Sequence, residues 1–481
     1  MVGCLAAICA ALAAALALAV APALGAAGDL DRSFGSHGVA AVDGPAGPQL
    51  NSQAPPKLVV APEGEIYVLF ANTAPCAEFS GCSIEWTVAR FSPDGVRDDG
   101  FNAHLTVRGN EYEPGDLTVG PDGKPVIAVL DQGRVVVARF DAAGNLEATL
   151  GAGDPNPLFG STYEPPVVAV QADGKVVVSV GHAFDLRVVR YLPHGERDPG
   201  FGSAGEATLT LGTRSRPAGV LLGADGSVSL AAPQCCGGSA PYGEGIGFAR
   251  FLASGQPDQG LGGSGQFLLP TPGAQANVEA AALAPGGGAY IVFEVNTGPT
   301  ATVGSVVKLR PDGSVDAGFG KNGYSRFAMM SVDDLVVDGK GRLLAGGWNG
   351  GAAVSRMRPG GGADRTFAGG GAVRLPSTGP ASVALQSKGR IVALGEPCCG
   401  PKTATLYRLV GGTDRTRCLG HKATIVGTAK PDEIVGTPHR DVIAALGGAD
   451  EVRGLGGPDV ICGGRGADKL LGGAGRDTVR Q

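Results

Sequence analysis

The sequence predicts an all-β chain, a seven-bladed β-propeller followed by a short parallel β-roll, on three observations. Glycine makes up 82 of 481 residues while 43% of the chain is hydrophobic, a composition of many tight turns joining short buried strands and not one of disorder. A strand, a glycine turn and a second strand recur seven times. From Gly427 onward an aspartate returns at every ninth residue.

The hairpins read VVAPEGEIYVLF around Gly64, LTVGPDGKPVIAV around Gly123, VVAVQADGKVVVSV around Gly174 and LLGADGSVSL around Gly226. They continue with ALAPGGGAYIVF around Gly287, VVDGKGRLLAGG around Gly341 and VALQSKGRIVALG around Gly389, at steps of 48 to 61 residues. A third strand follows each one, ending in Arg and usually an aromatic, then a turn glycine, an acidic residue and often a Phe. Examples are VARFSPDGVRDDGF from Val88, VVRYLPHGERDPGFG from Val188 and VKLRPDGSVDAGFG from Val307, with the same frame at Arg139, Arg250, Arg356 and Arg408. A fourth strand such as GEATLTLG from Gly205 completes a four-stranded blade. The array begins with LDRSFGSHGVAAV from Leu30, the second half of a unit, and the seventh unit stops after Arg408 without a fourth strand. An N-terminal strand that completes the last blade closes the ring and leaves no free edge. An open solenoid and a pair of sandwiches are the alternatives.

The aspartates of the C-terminal segment are Asp432, Asp441, Asp450, Asp459, Asp468 and Asp477, each followed two places on by Ile434, Ile443, Val452, Ile461, Leu470 or Val479. Each nonapeptide supplies one turn and one short strand, so two make a circuit and units two apart stack on one edge. Asp432, Asp450 and Asp468 then share an edge, and Asp441, Asp459 and Asp477 the other. The aliphatics point into a thin core. Carboxylates crowded into glycine turns repel one another, and a hard cation taking six to eight oxygens, some from carbonyls, relieves them; calcium tolerates such irregular cages better than magnesium.

The units GGRGADKLL from Gly463 and GGAGRDTVR from Gly472 fit G-G-x-G-x-D-x-U-x throughout, and the segment resembles the RTX, or haemolysin-type, calcium-binding repeats. The resemblance implies Ca2+ held by the six aspartates with the turn glycines, among them Gly463, Gly466, Gly472 and Gly475, and by the turn two units on. GTAKPDEIV and GTPHRDVIA depart from the pattern, with Lys430 and His439 where the fourth-position glycine belongs. From Leu30 to Arg415 the F-x-x-D-G-x-x-D-x-x-F-G run with its Q-x-D-G-K hairpin looks like the delta-60 repeat family of secreted propeller-like proteins, a resemblance that implies no common activity. Leu150 and Leu261 stand where Phe34, Phe101, Phe201, Phe319 and Phe367 mark the other units, and the seventh unit shows no aromatic there.

Net charge of -6 excludes an electrostatic nucleic-acid binder. Leu5 to Ala21 is a small-apolar run followed by small residues, read as a signal peptide over residues 1–27 cleaved between Gly25 and Leu30, with an uncleaved anchor as the alternative. The expected domains are a propeller over 28–416 and a roll over 417–481, in a secreted protein found outside the cell or at its surface. Outside Cys4 and Cys9, eight cysteines remain for an oxidising compartment. Cys418 is expected to bond Cys462, and Cys76 to bond Cys82. The neighbours Cys235 and Cys236, and Cys398 and Cys399, are expected to form vicinal pairs, with a link between the first and seventh blades as the competing pattern. All six propeller cysteines fall in the connection from second to third strand, on the face where long loops suit a carbohydrate or protein ligand.

No G-x-S-x-G, H-E-x-x-H or phosphate loop occurs. The histidines are scattered, His182 alone lying near a channel mouth, and Asp98, Asp198, Asp258, Asp316 and Asp364 recur once per unit as turn caps do. A calcium-stabilised extracellular binding or structural protein follows. The alternative is a secreted hydrolase or lyase with its site at the channel mouth, recognisable by carboxylates or histidines converging there.

Overall fold

The computed structural model describes residues 27–42, 56–73, 82–109, 115–152, 154, 166–182, 185–210, 217–234, 245–270, 276–296, 302–395, 404–411, 417–423, 425–426, 431–445 and 448–481. The leader run lies outside them. The chain divides into two compact units, Ala27–Gly411 and a second containing Gly412–Gln481. No α-helix occurs among the described residues, and none of them forms a helix long and apolar enough to cross a membrane.

The larger unit is a seven-bladed propeller. Blade one comprises Lys57–Val60, Ile66–Thr73, Cys82–Phe91 and Ala103–Gly109, hydrogen-bonded in that order. Blades two to six repeat this antiparallel order, and the first strands of neighbouring blades contact one another around the axis. Blade seven takes Ala381–Leu385, Ile391–Gly395 and Ala404–Leu409 and is completed by Val39–Val42, in register from Val39 opposite Tyr407 to Val42 opposite Ala404. The ring thus closes through strands from opposite ends of the propeller sequence, and no blade is left without its outer strand. Alternation along the second and third strands puts Val126 and Ala128 on one face and Ile127 and Val129 on the other, all buried, because each sheet is covered by a neighbour on both sides.

The recurring aromatic is the wedge between blades. Phe34 lies so close beneath Gly95 that a Cβ there would sit 2.6 Å from its ring, and Leu261 lies at the same distance beneath Gly313. Leu150 is likewise under Gly195. The degenerate units therefore keep the position and lose only ring area. Phe34 also corrects the expectation for the seventh unit: its aromatic is present, supplied by the N-terminal segment that completes the blade.

In the smaller unit, Ile425–Val426, Val442–Ala444, Val460–Cys462 and Thr478–Arg480 form one parallel sheet. Glu433–Val435, Glu451–Arg453 and Lys469–Leu471 form the other. Each strand pairs with the one 18 residues on, as in Ile434 with Val452. Ile434, Ile443, Val452 and Ile461 are buried between the sheets; Val479, in register with Ile461, lies on the same face and is 44% exposed at the last turn.

Candidate metal centre and channel mouth

Six carboxylates spaced by nine residues must each go somewhere, and stacking decides where. In every circuit one oxygen is spent on the backbone. The N–H groups of Asp432, Asp441, Asp450 and Asp459 donate to the Oδ1 atoms of Asp450, Asp459, Asp468 and Asp477, at 2.9, 2.8, 3.1 and 3.0 Å. In two of them the second oxygen is left over. Oδ2 of Asp450 and of Asp459 is buried with no hydrogen-bond partner. A Cβ added at Gly454 would collide with both Asp459 Oδ2 and the carbonyl oxygen of Gly472, so that carboxylate and a main-chain carbonyl two units on flank one small cradle. The corresponding cradle at Gly436 is flanked by Asp441 Oδ2 and the Gly454 carbonyl, 2.9 and 2.5 Å from such a Cβ.

An orphaned carboxylate oxygen beside a carbonyl, inside a turn that glycine keeps empty, fits a hard oxygen-seeking cation. Burial raises the Asp459 carboxyl above its ordinary value against the bond from Asp441 N–H, and the charges of Asp441 and Asp477 add to the rise. A cation reverses both effects. Among the described residues no three His, Cys, Asp or Glu side chains cluster closely enough to hold a metal alone, so the carbonyls are necessary donors. The Asp468 Oδ2 accepts instead from the exposed Gln481 amide at 3.1 Å. Asp441 Oδ2 accepts from the N–H and hydroxyl of Thr437, a partner that periodicity alone did not reveal.

Cys418 and Cys462 are bonded, with Cα atoms 5.5 Å apart. Cys76, Cys235, Cys236, Cys398 and Cys399 lie outside the described residues. Cys82 opens the third strand of blade one, and its side chain also lies outside them.

In the propeller, the repeating aspartates cap turns, as Asp98 Oδ1 does for Gly100 N–H at 3.0 Å. Their other oxygen binds the arginine eight residues earlier: Arg90 with Asp98, Arg190 with Asp198, Arg250 with Asp258 and Arg356 with Asp364, at 2.6 to 2.9 Å. Arg408 pairs the same way with Asp31 across the closure, at 3.0 Å. The Arg90 bond is the main cause holding Asp98 below the usual carboxylate range. Each guanidinium then reaches the next blade and donates to a turn carbonyl. Arg90 meets Ala142, Arg139 meets Pro193, Arg190 meets Ala253 and Arg250 meets Pro311, while Arg356 meets Gly411 and Arg408 meets Pro93. Blade five departs. The residue in this frame is Lys308 and not, as expected, an arginine; Arg310 falls beyond the strand and is half exposed. Lys308 holds Asp316 at 2.8 Å, and no bond to the Pro359 carbonyl joins it to blade six.

The channel is lined by the first strands. At one frame position stand Lys57, Asp116 and Asp334; Asp116 Oδ2 accepts from Val168 N–H and Asp334 Oδ2 from Val383 N–H, both at 2.9 Å, so each ties its blade to the next. Both first strands of blades five and six carry a register shift, and the extra residues there are Glu279 and Asp333. Glu294 on the second strand of blade five feels the charges of both. Burial, reinforced by the Glu279 and Asp333 charges, pushes Glu294 up to about 7. Loss of hydration and then the Glu279 charge push Asp333, which still reaches solvent, up to about 6. His182 ends a second strand, and its side chain lies outside the described residues.

The smaller unit matches the model of the RTX calcium-binding nonapeptide repeat over residues 423–452 and 445–479. Residues 171–201 match a domain of unknown function described as a DUF5122 beta-propeller. Among curated proteins no sequence matches this chain. Similar solved structures include a protein of unknown function from Bacteroides caccae, 12% identical over 56% of this chain and 85% of that one, with a TM-score of 0.31. Another, of unknown function from Dyadobacter fermentans, is 12% identical over 77% and 99%, with a TM-score of 0.40. The GH74 xyloglucanase from Xanthomonas campestris is 11% identical over 72% and 51%, with a TM-score of 0.39. None of these likenesses bears on activity. The C-terminal repeats are RTX nonapeptide repeats, which bind Ca2+, on a chain whose larger unit is a seven-bladed β-propeller.

Proposed function

We propose that this is a secreted binding protein, its roll ordered by calcium outside the cell and its propeller presenting the loop face to an extracellular carbohydrate or protein ligand. The observation that carries the calcium dependence is the pair of buried, unpartnered oxygens on Asp450 and Asp459. Extracellular calcium modules work at dissociation constants of about 10⁻⁴–10⁻³ M, concentrations the cytoplasm does not reach. The binding role is supported by the end of the propeller where second strands finish and first strands begin. There Trp348 is 37% exposed with its indole N–H on the Thr378 carbonyl, and Met330, whose N–H donates to the Trp348 carbonyl, is 51% exposed. An aromatic held by its polar atom on a rigid strand end suits a sugar or side-chain ligand. The test is expression of the whole chain with recovery of the extracellular fraction: a mature start between Gly25 and Leu30, and retention on a polysaccharide panel lost in Trp348→Ala, are expected. An intracellular product starting at Met1 would refute secretion.

A hydrolase or lyase is the second reading, favoured by the mutual influence of Glu279, Glu294 and Asp333, with two carboxyls raised toward neutrality. Turnover of the same panel, abolished in Glu294→Gln and Asp333→Asn, would establish it; absence of turnover leaves the binding reading alone.

A further inference from the structure

The six nonapeptides are not equivalent, and their differences divide the roll near its middle. In the second unit Asp441 Oδ2 accepts from Thr437 N–H at 2.6 Å and from the Thr437 hydroxyl at 3.0 Å, and Thr437 Oγ1 accepts from His439 N–H at 3.2 Å. The same oxygen in Asp450 and Asp459 has no partner. The backbone differs as well. The fourth-position residues Gly448, Gly457, Gly466 and Gly475 all have positive φ, from 98 to 147°, whereas His439, which carries a Cβ, does not. A cation entering the Asp441 turn would have to break two protein hydrogen bonds in a turn of different shape. That turn is already satisfied.

The same half of the roll carries its own covalent tie. Cys418, fully buried, packs with Val442 and Val460 and is bonded to Cys462. The short hairpin of Arg417–Cys418 and His421–Lys422 supplies a terminal cap of the kind repeat arrays need. The buried core residues Ile434, Ile443, Ala445, Val452 and Ile461 lie within or before the fourth unit, while beyond it Leu470 is only partly buried against them and Val479 is 44% exposed. Apolar burial and the disulfide therefore serve the first units, and the last two have little besides strand pairing and the orphaned oxygens they face.

We infer that residues 431–462 form a seed that folds without metal, and that calcium orders only the last two units onto it through the orphaned oxygens of Asp450 and Asp459. The inference rests on the calcium binding of the repeats and uses nothing of the propeller's ligand. Hydrogen exchange of the full chain in chelator tests it. Val442–Ala444 and Val460–Cys462 should exchange at least about tenfold more slowly than Lys469–Leu471 and Thr478–Arg480, and calcium should remove the difference by slowing the latter. Equal exposure of all four strands in chelator overturns the seed. Equal protection of all four overturns the division, and it alone also tells against the calcium requirement. Replacing both cysteines, Cys418→Ser with Cys462→Ser, should bring the first two strands about tenfold closer to the last two in chelator, with protection restored by calcium as the sign that the variant still folds. The pair Thr437→Gly and His439→Gly should make Val442–Ala444 calcium-dependent and raise uptake by about one ion per chain; unchanged uptake would overturn the assignment of that turn as metal-free.

Discussion

The propeller and the roll both bury charge in several of their repeats, and they neutralise it by opposite means. In the propeller the buried charge arrives with its partner. Arg356, 1% exposed, has Asp364 on one edge and the Gly411 carbonyl of the next blade on another, and Arg408 is held in the same way by Asp31 and Pro93. In the roll the carboxylates of Asp450 and Asp459 are buried with one oxygen each unanswered. The difference teaches that regular repetition does not by itself make a self-sufficient fold. A repeat whose polar groups close on a neighbour is stable from the chain alone, whereas one whose polar groups converge on an empty cradle has delegated part of its stability to the solution.

Removing calcium should expose that contrast most strongly. Heating the full chain in chelator is expected to give two transitions by circular dichroism, and added calcium should raise only the lower one. At free calcium about a hundred times the dissociation constant, each site adds about 2.7 kcal/mol. A lower transition that ignores calcium would break the comparison.

Truncating a latch comes next. Arg356→Ala leaves Asp364 buried without its guanidinium, a change that costs about 3–5 kcal/mol, measured by urea unfolding of the propeller transition. The same truncation at Lys308, which reaches only within its own blade and is less buried, should cost under about 1 kcal/mol. Equal losses would show that the bond to the next blade carries little.

A smaller effect is expected from pH. Glu294 and Asp333 have folded-state values raised to about 7 and about 6, so the protonated forms favour the folded state. Their contribution is full below the ordinary values of 4.5 and 3.8 and is lost as pH rises through about 7. Asp98 and Asp198, by contrast, are held low, and their contribution is lost only as pH falls below the ordinary carboxylate value. Between pH 5 and 7.5 the propeller should therefore lose on the order of 1 kcal/mol after screening, and Glu294→Gln should flatten most of that slope. A propeller whose stability rises across this window would contradict the assignment.

The smallest change is a gain. Lys308→Arg should supply the seventh latch, onto Pro359, and stabilise the propeller by about 0.5–1.5 kcal/mol. No gain would indicate that blades five and six are set differently from the rest.

Much of the fold was legible because its signals are short-range. Gly64, Gly123 and Gly174 mark turns within a hairpin, and the Asp432 to Asp477 series gives the stacking directly. Even the ring closure could be read from the half-unit at Leu30. Signals that cross between units were not legible. Arg90 and Asp98, Arg190 and Asp198, Arg250 and Asp258 share a spacing of eight that was open to reading, but the acceptor of the latch is a main-chain carbonyl 52 to 63 residues away and leaves no mark on the sequence. The mutual influence of Glu279, Glu294 and Asp333 depends on two register shifts, at Glu279 and Asp333, that alternation counted as ordinary strand. Thr437 stood in plain view, yet its hold on Asp441 follows from the shape of one turn and not from the nine-residue period.

The latch also bears on how such a ring can change its copy number. Each arginine brings its own aspartate, so donor and counter-ion travel together within a single unit. What they require of the following unit is a backbone oxygen, which any amino acid provides. A duplicated unit can therefore be inserted before any other without a matching substitution elsewhere, and a lost one leaves its neighbours still able to join. Only the split blade is irreplaceable in this sense, because Arg408 finds Asp31 at the other end of the chain. Growth and shrinkage of the array are open in the middle and restricted at the seam.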